Sequence, residues 1–285
     1  MKKIPIRHIK VSSREPVLSG NFDIRDIREL MAGKDMVQEL HRHDYFYLLA
    51  LKKGKGLHAI DFTTYPVADN TIFLMRPGQV HQLTLQTAST GYLLEFRAGF
   101  YHPHDKYSIQ LLQRAALTNF YKPGIAGGKK IFSILTTIFG EYTGKQEGYQ
   151  QAIQSNLGLF FIELARQQVG GKQPGVSTYT QERLEEFAGL LETHIAEHKQ
   201  VSFYADKLNL SPYQLNSITR NTLGKTSSVL INEQIILEAR RSLLATTGQV
   251  KEIAWQLGYE DDSYFIRFFK KHTGYTPDAF RQHFK

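Results

Sequence analysis

Short apolar and aromatic stretches, separated by turn residues, fill the chain from about residue 36 to residue 100. Glycine and proline stand between these stretches, at Gly54 and Gly56, at Tyr65-Pro66 and at Pro77-Gly78. Closely spaced strands with such punctuation are typical of a small sandwich or barrel. The pattern therefore predicts a β-barrel, with strands over residues 45–51, 57–62, 71–75, 80–87 and 91–96.

After His104 the apolar period lengthens to that of helices, which we predict over residues 107–121, 129–142 and 149–169. The third helix carries an apolar stripe suited either to a domain core or to a dimer seam, made of Ile153, Leu157, Phe160, Phe161 and Leu164. A glycine-rich run, Gly170 to Gly175, then breaks the pattern. The sequence thus predicts an α+β chain with an N-terminal domain over residues 1–170, a linker over 171–176 and an all-α C-terminal domain over 177–285.

The second domain opens with a predicted helix over residues 181–198 and then contains an internal repeat, because the segment 201–226 recurs as 250–276. Ala205 recurs as Ala254 after 49 residues, and Gly224 recurs as Gly274 after 50, so one residue is inserted in the turn of the second copy. Each copy predicts a short helix, a tight turn and a second helix, which is the helix-turn-helix pattern.

Capping signals mark the boundaries of the repeated helices. In the first copy Ser211 is a suitable N-cap, Gln214 completes a capping box and Gly224 ends the helix. The equivalent signals in the second copy are Gly258 at the turn, Asp261 or Asp262 as the cap, and Gly274 at the end. An ordinary helical bundle would explain each signal singly, but not their joint recurrence.

The second copy also carries a longer motif. Its residues are Lys251-Glu252-Ile253-Ala254, Leu257-Gly258-Tyr259, Ser263-Tyr264-Phe265, Arg267, Phe269-Lys270, Gly274, Thr276-Pro277 and Arg281. This motif resembles the signature of the AraC family of transcription regulators. The resemblance covers roughly residues 175–285 and implies two helix-turn-helix units, 201–224 and 250–274, joined by one long helix. Two departures concern the linking helix and the first unit's affinity for DNA: Gln234 stands where the family commonly has Arg, and Asn221-Thr222-Leu223 stands where a Phe-Lys pair is more usual.

Helical spacing turns the side chains opposite the apolar ones toward DNA. The apolar ones are Leu215, Ile218 and Leu223 in the first unit and Phe265, Phe268 and Phe269 in the second. The side chains predicted to face DNA are therefore Tyr213, Gln214, Ser217, Arg220 and Asn221 in the first unit, and Ser263, Tyr264, Arg267, Lys270 and Lys271 in the second. Lys225, just after the first unit, is added as a further DNA-binding residue. We expect base contacts from Gln214, Ser217 and Arg267, and phosphate contacts from Arg220, Lys225, Lys270 and Lys271. The alternative for each cation is an ordinary solvated surface residue.

The helix that joins the two units is predicted over residues 227–246, and about 20 helical residues span about 30 Å. This length is close to the roughly 34 Å of one DNA turn. One chain could then set two recognition helices into successive major grooves, so we predict an asymmetric DNA site for each chain.

The predicted barrel contains His41-Arg42-His43 and Val80-His81, which resemble, more weakly, the cupin sensor domain common in AraC-type regulators. The resemblance implies a small-molecule pocket, and the candidate ligand-binding residues are His41, His43, Tyr45, Tyr47, His81, Tyr92 and Arg97. These residues could equally be ordinary core or surface. Metal-binding cupins pair an H-x-H with a nearby Glu and a later His. His41, His43 and His81 would supply three imidazoles for a first-row metal, but no Glu follows His43 before Glu95, so we expect no metal and no cofactor.

Composition narrows the function further. The absence of cysteine excludes thiolate metal sites, disulfides and a cysteine nucleophile. The net charge of +8 suggests a polyanionic partner, but residues 175–285 hold 13 Lys and Arg against 13 Asp and Glu, so DNA binding must depend on local placement. No apolar run reaches bilayer length and no catalytic constellation is evident, which predicts a cytoplasmic protein that is not an enzyme and has no membrane partner.

The sequence favours a sequence-specific DNA-binding transcription regulator that responds to a small-molecule effector in the N-terminal barrel. We expect double-stranded DNA, RNA polymerase and a second copy of the chain as its macromolecular partners. Two alternatives stay open, a metallo-cupin enzyme and a constitutive DNA-binding protein whose barrel serves only for dimerisation.

Overall fold

A computed structural model describes residues 5–9, 20–97, 99–101, 106–168, 178–246 and 248–284 of the chain. The chain forms two compact units, one over Pro5–Gly171 and the other mainly over Lys172–Lys285. The predicted linker over residues 171–176 lies outside the described residues. None of the described helices is both long and apolar enough to cross a lipid bilayer.

The N-terminal unit combines short strands with three longer helices. Its strands are β1 (Ile6–Arg7), β2 (Phe22–Asp26), β3 (Met36–His43), β4 (Phe46–Lys53), β5 (Gly56–Ile60), β6 (Thr63–Val67), β7 (Thr71–Met75), β8 (Val80–Leu85), β9 (Thr90–Phe96) and β10 (Phe120–Tyr121). Its helices are α1 (Ile27–Met31), α2 (Lys106–Ala116), α3 (Ile125–Gly144) and α4 (Tyr149–Gln168).

The strands form two five-stranded sheets that face each other. The first sheet has the order β1-β3-β8-β5-β6 and the second has the order β10-β7-β4-β9-β2. Because the end strands of the two sheets do not pair with each other, the predicted barrel is corrected to an open, cupin-like sandwich. Apart from the parallel β1–β3 pair, neighbouring strands run antiparallel.

The second sheet is buried on both faces. Leu48 and Ala50 of β4 pack in a core with helices α2 to α4, whereas Leu49 and Leu51 of the same strand pack between the sheets. This double burial explains why β4 and β7 are continuous apolar runs rather than alternating ones. The predicted stripe of α4, from Ile153 to Leu164, is fully buried in the first of these cores, so these side chains leave no surface for a dimer seam.

The predicted strands are confirmed within a few residues, but β1, β2, β3, β6 and β10 were not predicted. The sequence of β2 is Phe-Asp-Ile-Arg-Asp, in which only Phe22 and Ile24 are apolar and buried. Two apolar residues among three charged ones are too few to indicate a strand from the sequence. β6 contains Pro66, which is tolerated because β6 is an edge strand. The predicted helix over residues 107–121 ends at Ala116, since residues 120 and 121 pair with β7 instead.

The C-terminal unit is helical throughout its described part. Its helices are α5 (Thr178–His194), α6 (Val201–Lys207), α7 (Pro212–Leu223), α8 (Ser227–Ala245), α9 (Val250–Gln256), α10 (Asp262–Thr273) and α11 (Pro277–His283). The pairs α6–α7 and α9–α10 are the two predicted helix-turn-helix units, and α8 joins them and contacts every other described helix of the unit. Its 19 residues span about 28 Å.

The predicted caps are confirmed. Ser211 and Gln214 form the capping box of α7, and Asp261 rather than Asp262 caps α10 by accepting a hydrogen bond from the backbone of Ser263. Gly224 and Gly274 end the second helix of each unit in the left-handed conformation.

Candidate functional site

The second helices of the two helix-turn-helix units, α7 and α10, are each anchored by one or two fully buried side chains. Leu215 of α7 and Phe265 and Phe269 of α10 are buried in the helical core, as predicted. The prediction for Leu223 was wrong, because this residue is 50% exposed. Leu223 is the last residue of α7, and the chain turns away at Gly224 before any core residue can cover it.

The opposite faces of both helices carry exposed polar and cationic side chains. In α7 Tyr213 is 83% exposed, and Arg220 lies on the same surface, where the two residues line a shallow cavity with Ser217 and Asn221. In α10 and the residues around it the exposed set is Ser263, Tyr264, Arg267, Lys270 and Lys271. All of the residues predicted to contact DNA are exposed except Ser217, which is only partly exposed. Lys225 lies beyond the end of α7, so its exposure does not depend on helical spacing.

These side chains differ in how free they are to contact DNA. Arg220, Arg267 and Lys270 have no ion pair with any carboxylate in the described part of the chain, and neither has Lys271. Lys225, by contrast, donates to both carboxylate oxygens of Glu233 at 2.7 and 2.9 Å.

Gln214, predicted to read bases, is already engaged, since its Oε1 accepts a hydrogen bond from the backbone of Ser211. Because the oxygen of its side-chain amide is used in the cap, only the amide nitrogen is available to donate to a base. The sequence signal for the cap and the signal for a base contact therefore fall on the same residue.

The two units are fixed to each other by a close contact at the turn of the second unit. Gly258 has φ +72° and lies so near the segment between α5 and α6 that a Cβ there would be 2.1 Å from the carbonyl oxygen of Ala196. Lys199 donates to the carbonyl of Gly258 at 3.2 Å and lies 4.9 Å from the centre of the Tyr259 ring. Phe268 and Tyr259 also pack against the core of the first unit. The separation of α7 and α10 is thus set by packing.

The N-terminal unit has a cavity of about 440 Å³ where the edge of the first sheet meets the edge of the second. Of the predicted ligand residues, His43, Tyr45 and Tyr47 line it. The other lining residues are Arg7, His8, Arg25, Leu30, Met36, Gln38, Leu93 and Glu95.

An ion pair between a half-buried arginine and a buried glutamate forms one wall of this cavity. Arg25 of β2 donates to Glu95 of β9 at 2.8 Å, and Tyr45 donates its hydroxyl to the same carboxyl at 3.0 Å. Burial raises the pKa of Glu95, while the positive charge of Arg25 opposes that rise. The Tyr47 hydroxyl is buried without a hydrogen-bond partner among the described residues, so it is available to a bound molecule.

Tyr92 and Arg97 are not brought into the cavity, contrary to the sequence-based prediction. Tyr92 lies on the opposite face of the second sheet, where its hydroxyl is 3.2 Å from that of Thr136 in α3. Arg97 donates to the carboxylate of Asp44 at 2.9 Å and to the carbonyl of Gly20 at 2.8 Å.

His41 and His81 lie behind the cavity, in a cluster of four buried histidines completed by His43 and His58. His81 Nε2 is 2.8 Å from His43 Nε2 and 3.0 Å from His41 Nε2, and His81 Nδ1 is 2.8 Å from His58 Nε2. Burial lowers the pKa of His41 to about 4, that of His58 to about 3 and that of His43 to about 2, and it lowers the pKa of His81 well below its usual value. All four rings are therefore neutral at physiological pH.

Sequence reasoning missed Arg7, Arg25, Gln38 and Glu95 as cavity residues. Arg25 and Glu95 are separated by 69 intervening residues and meet only because β2 pairs with β9. Strand alternation could have corrected one prediction. Leu93 and Glu95 of β9 share the face that lines the cavity, so Tyr92 must point to the opposite face of the sheet.

Two family models match the chain. Residues 204–283 match a model described as a helix-turn-helix domain, and residues 34–103 match one described as an AraC-like ligand binding domain. The first match begins inside α6 and reaches the end of α11, and the second spans β3 to β9.

Similar proteins align with most of the chain. The chain is 23% identical over 286 residues to the arabinose operon regulatory protein of Escherichia coli, covering 95% of this chain and 94% of that one. It is 23% identical over 256 residues to the uncharacterised HTH-type transcriptional regulator YfiF of Bacillus subtilis, covering 86% and 79%. The crystal structure of ToxT from Vibrio cholerae aligns over 92% of this chain and 97% of that one, with 14% identity and a TM-score of 0.43.

Proposed function

Since this chain belongs to the AraC family of transcription regulators, we propose that α7 and α10 are its recognition helices and that they enter two neighbouring major-groove segments of DNA. The observation that carries this proposal is the pair of exposed helix faces held at a fixed separation by α8 and by the Gly258 contact. Arg220 and Arg267, which have no competing carboxylate in the described part of the chain, are the cations best placed to contact guanine edges or phosphates.

Selection from a pool of random duplexes by the full-length chain, at stated salt, tests this assignment. We expect enrichment of a site with two short motifs about one helical turn apart. Arg267→Ala should relax the preference in one motif, whereas Lys130→Ala, an exposed change in α3, should leave both motifs intact. Selection that yields no motif, or an Arg267→Ala profile identical to the wild type, would contradict it.

We propose further that the effector binds in the cavity beside Tyr47. The supporting features are a volume of about 440 Å³, the free Tyr47 hydroxyl and the Arg25–Glu95 pair, which together suit a small molecule rich in hydroxyl groups. One relative is named as the regulator of an arabinose operon, so arabinose and other monosaccharides are the first probes.

Calorimetric titration with arabinose and a panel of monosaccharides tests the cavity. Tyr47→Phe should weaken the binding of any sugar that the wild type binds by about tenfold, because one hydrogen bond in a buried site is lost. Tyr92→Phe removes the same atom from the opposite face of the sheet and should leave the affinity unchanged. Equal losses in the two variants would place the ligand elsewhere.

Effector binding would act by changing how the two units present the recognition helices to DNA. A second copy of the chain and RNA polymerase are the macromolecular partners that such a regulator requires, and the site of action would be the chromosome in the cytoplasm. Sedimentation with and without DNA measures the first of these associations directly, and a chain that stays monomeric on its selected duplex would rule out a homodimer.

A further inference from the structure

The four-histidine cluster is explained neither by DNA binding nor by the effector cavity. His41, His58 and His81 have no exposed surface and His43 has almost none, yet burying four imidazoles costs free energy unless their nitrogens are satisfied. The cluster is assembled from three neighbouring strands of the first sheet, since β3 carries two of the residues, β8 one and β5 one. Rigid strands of one sheet therefore hold the ring nitrogens together.

The spacing of these nitrogens matches a metal site. Zn²⁺–imidazole bonds of about 2.0–2.1 Å, at ligand angles of roughly 90–110°, place ligand nitrogens about 2.9–3.4 Å apart. In the structure His81 Nε2 lies 2.8 and 3.0 Å from the Nε2 atoms of His43 and His41, and one nitrogen of each ring lies within 4.8 Å of the others. We propose that His41, His43 and His81 form a three-imidazole site for a late first-row divalent metal.

The protons of the cluster favour this assignment. His41 Nδ1 lies 2.7 Å from the carbonyl oxygen of Glu39, which can only accept, so Nδ1 carries the proton and Nε2 presents a lone pair. His81 Nδ1 can likewise donate to His58 Nε2 at 2.8 Å, which frees its Nε2. Hydrogen bonds from Nδ1 to an outer acceptor are the usual support of metal-binding histidines.

A second arrangement of protons would need no metal. If His58 Nε2 donates to His81 Nδ1, then His81 Nε2 carries a proton and shares it with His41 and His43. In that arrangement the cluster is a hydrogen-bonded network. The two arrangements differ in one measurable property, the binding of a metal ion.

The chemistry of the donors selects the class of metal. Neutral imidazole suits Zn²⁺, Cu²⁺, Ni²⁺ and Co²⁺, whereas Mg²⁺ and Ca²⁺ prefer carboxylate and carbonyl oxygens. The chain has no cysteine to offer a thiolate. Because His43 belongs both to the cluster and to the cavity wall, a metal held here would border the cavity.

His58 is a positioning residue in this account, because it contacts His81 rather than the metal. Its replacement should therefore weaken the site without abolishing it. His58→Phe removes the acceptor for His81 Nδ1, and loss of such an outer partner typically lowers metal affinity by about 10- to 100-fold.

Titration of the full-length, chelator-treated chain with Zn²⁺ tests the proposal without any measurement of DNA or sugar binding. We expect one equivalent bound by the wild type and by His272→Gln, which alters an exposed histidine of α10. His41→Gln and His81→Gln should lose that equivalent while their circular dichroism shows folded chains. An unchanged equivalent in both variants, or no tight binding by the wild type, would overturn the proposal.

A spectroscopic readout covers the case in which the variants do not fold. The wild-type chain loaded with one equivalent of Cu²⁺ should give an electron paramagnetic resonance spectrum with hyperfine coupling from three imidazole nitrogens. A spectrum that shows a single nitrogen ligand would instead indicate an adventitious surface histidine and would refute the three-histidine site.

Discussion

Residues of the family motif in the C-terminal unit have two different roles, one in packing and one in contacting DNA, and the motif alone does not distinguish them. Arg281 belongs to the family motif, yet it is buried and donates to the carbonyl of Leu243 at 3.0 Å and to that of Gly248 at 2.8 Å. It therefore holds α11 against the end of α8 rather than contacting DNA. Lys270 belongs to the same motif but is exposed and has no ion pair in the described residues, which leaves it free for a phosphate.

The contrast between Lys270 and Lys225 gives a prediction about salt dependence. Lys270→Ala should reduce the slope of log affinity against log salt by about 0.9, the value for one lost phosphate contact on duplex DNA. Lys225 is paired with Glu233 and must give up that pair to reach a phosphate, so Lys225→Ala should change the slope by less. Fluorescence anisotropy with the selected duplex at several salt concentrations measures both slopes. Equal slopes for Lys270→Ala and the wild type would exclude Lys270 from the interface.

At the scale of whole elements, the helical unit was predictable because its signals are local. The capping box of Ser211 and Gln214 lies within four residues, and the left-handed glycines lie directly after the helices that they end. The second helix-turn-helix could be located because it repeats the first. The end of α5 at His194, four residues before its predicted end, was the least accurate boundary in this unit because no helix stop such as glycine or proline follows it within six residues.

Gly258, in the turn between α9 and α10, and Gly274, at the end of α10, offer a matched pair of glycine substitutions. Gly258 and Gly274 both have positive φ, so alanine at either costs about 1 kcal/mol through backbone conformation. At Gly258 the new Cβ would also overlap the Ala196 carbonyl, whereas at Gly274 nothing lies within 4 Å in the described structure. We expect Gly258→Ala to lower the free energy of unfolding by about 3 kcal/mol in total.

Chemical denaturation monitored by circular dichroism compares the two variants. Because the Gly258 contact sets the separation of the recognition helices, Gly258→Ala should also weaken DNA binding more than Gly274→Ala does. Equal destabilisation by the two changes would show that the close approach to Ala196 plays no part.

The strands were harder to predict than the helices because their partners are distant in the sequence. β4 and β7 were found from their apolar runs, which reflect burial on both faces. β2 has no such run, and only its pairing with β9 brings Arg25 to Glu95. The lining of the cavity therefore depends on the pairing register of β2 and β9, which cannot be read from either strand alone. For this reason only three of the lining residues, His43, Tyr45 and Tyr47, were predicted.

Across the whole chain, the proposed effector site lies in one unit and the proposed recognition helices lie in the other. The cavity and the histidine cluster lie in the unit over Pro5–Gly171, and both recognition helices lie in the other unit. The net charge of the C-terminal part is zero, so its interface with DNA depends on where its cations lie. Exposed cations on α7 and in the later turns of α10 provide that placement.

The central claim is that a single chain reads two segments of DNA through two fixed helices, and footprinting on the selected duplex tests it most directly. Hydroxyl-radical cleavage should show two protected segments per chain, about one helical turn apart. Arg220→Ala should weaken protection of one segment and Arg267→Ala that of the other. Protection of one segment only, or loss of the same segment in both variants, would contradict the claim.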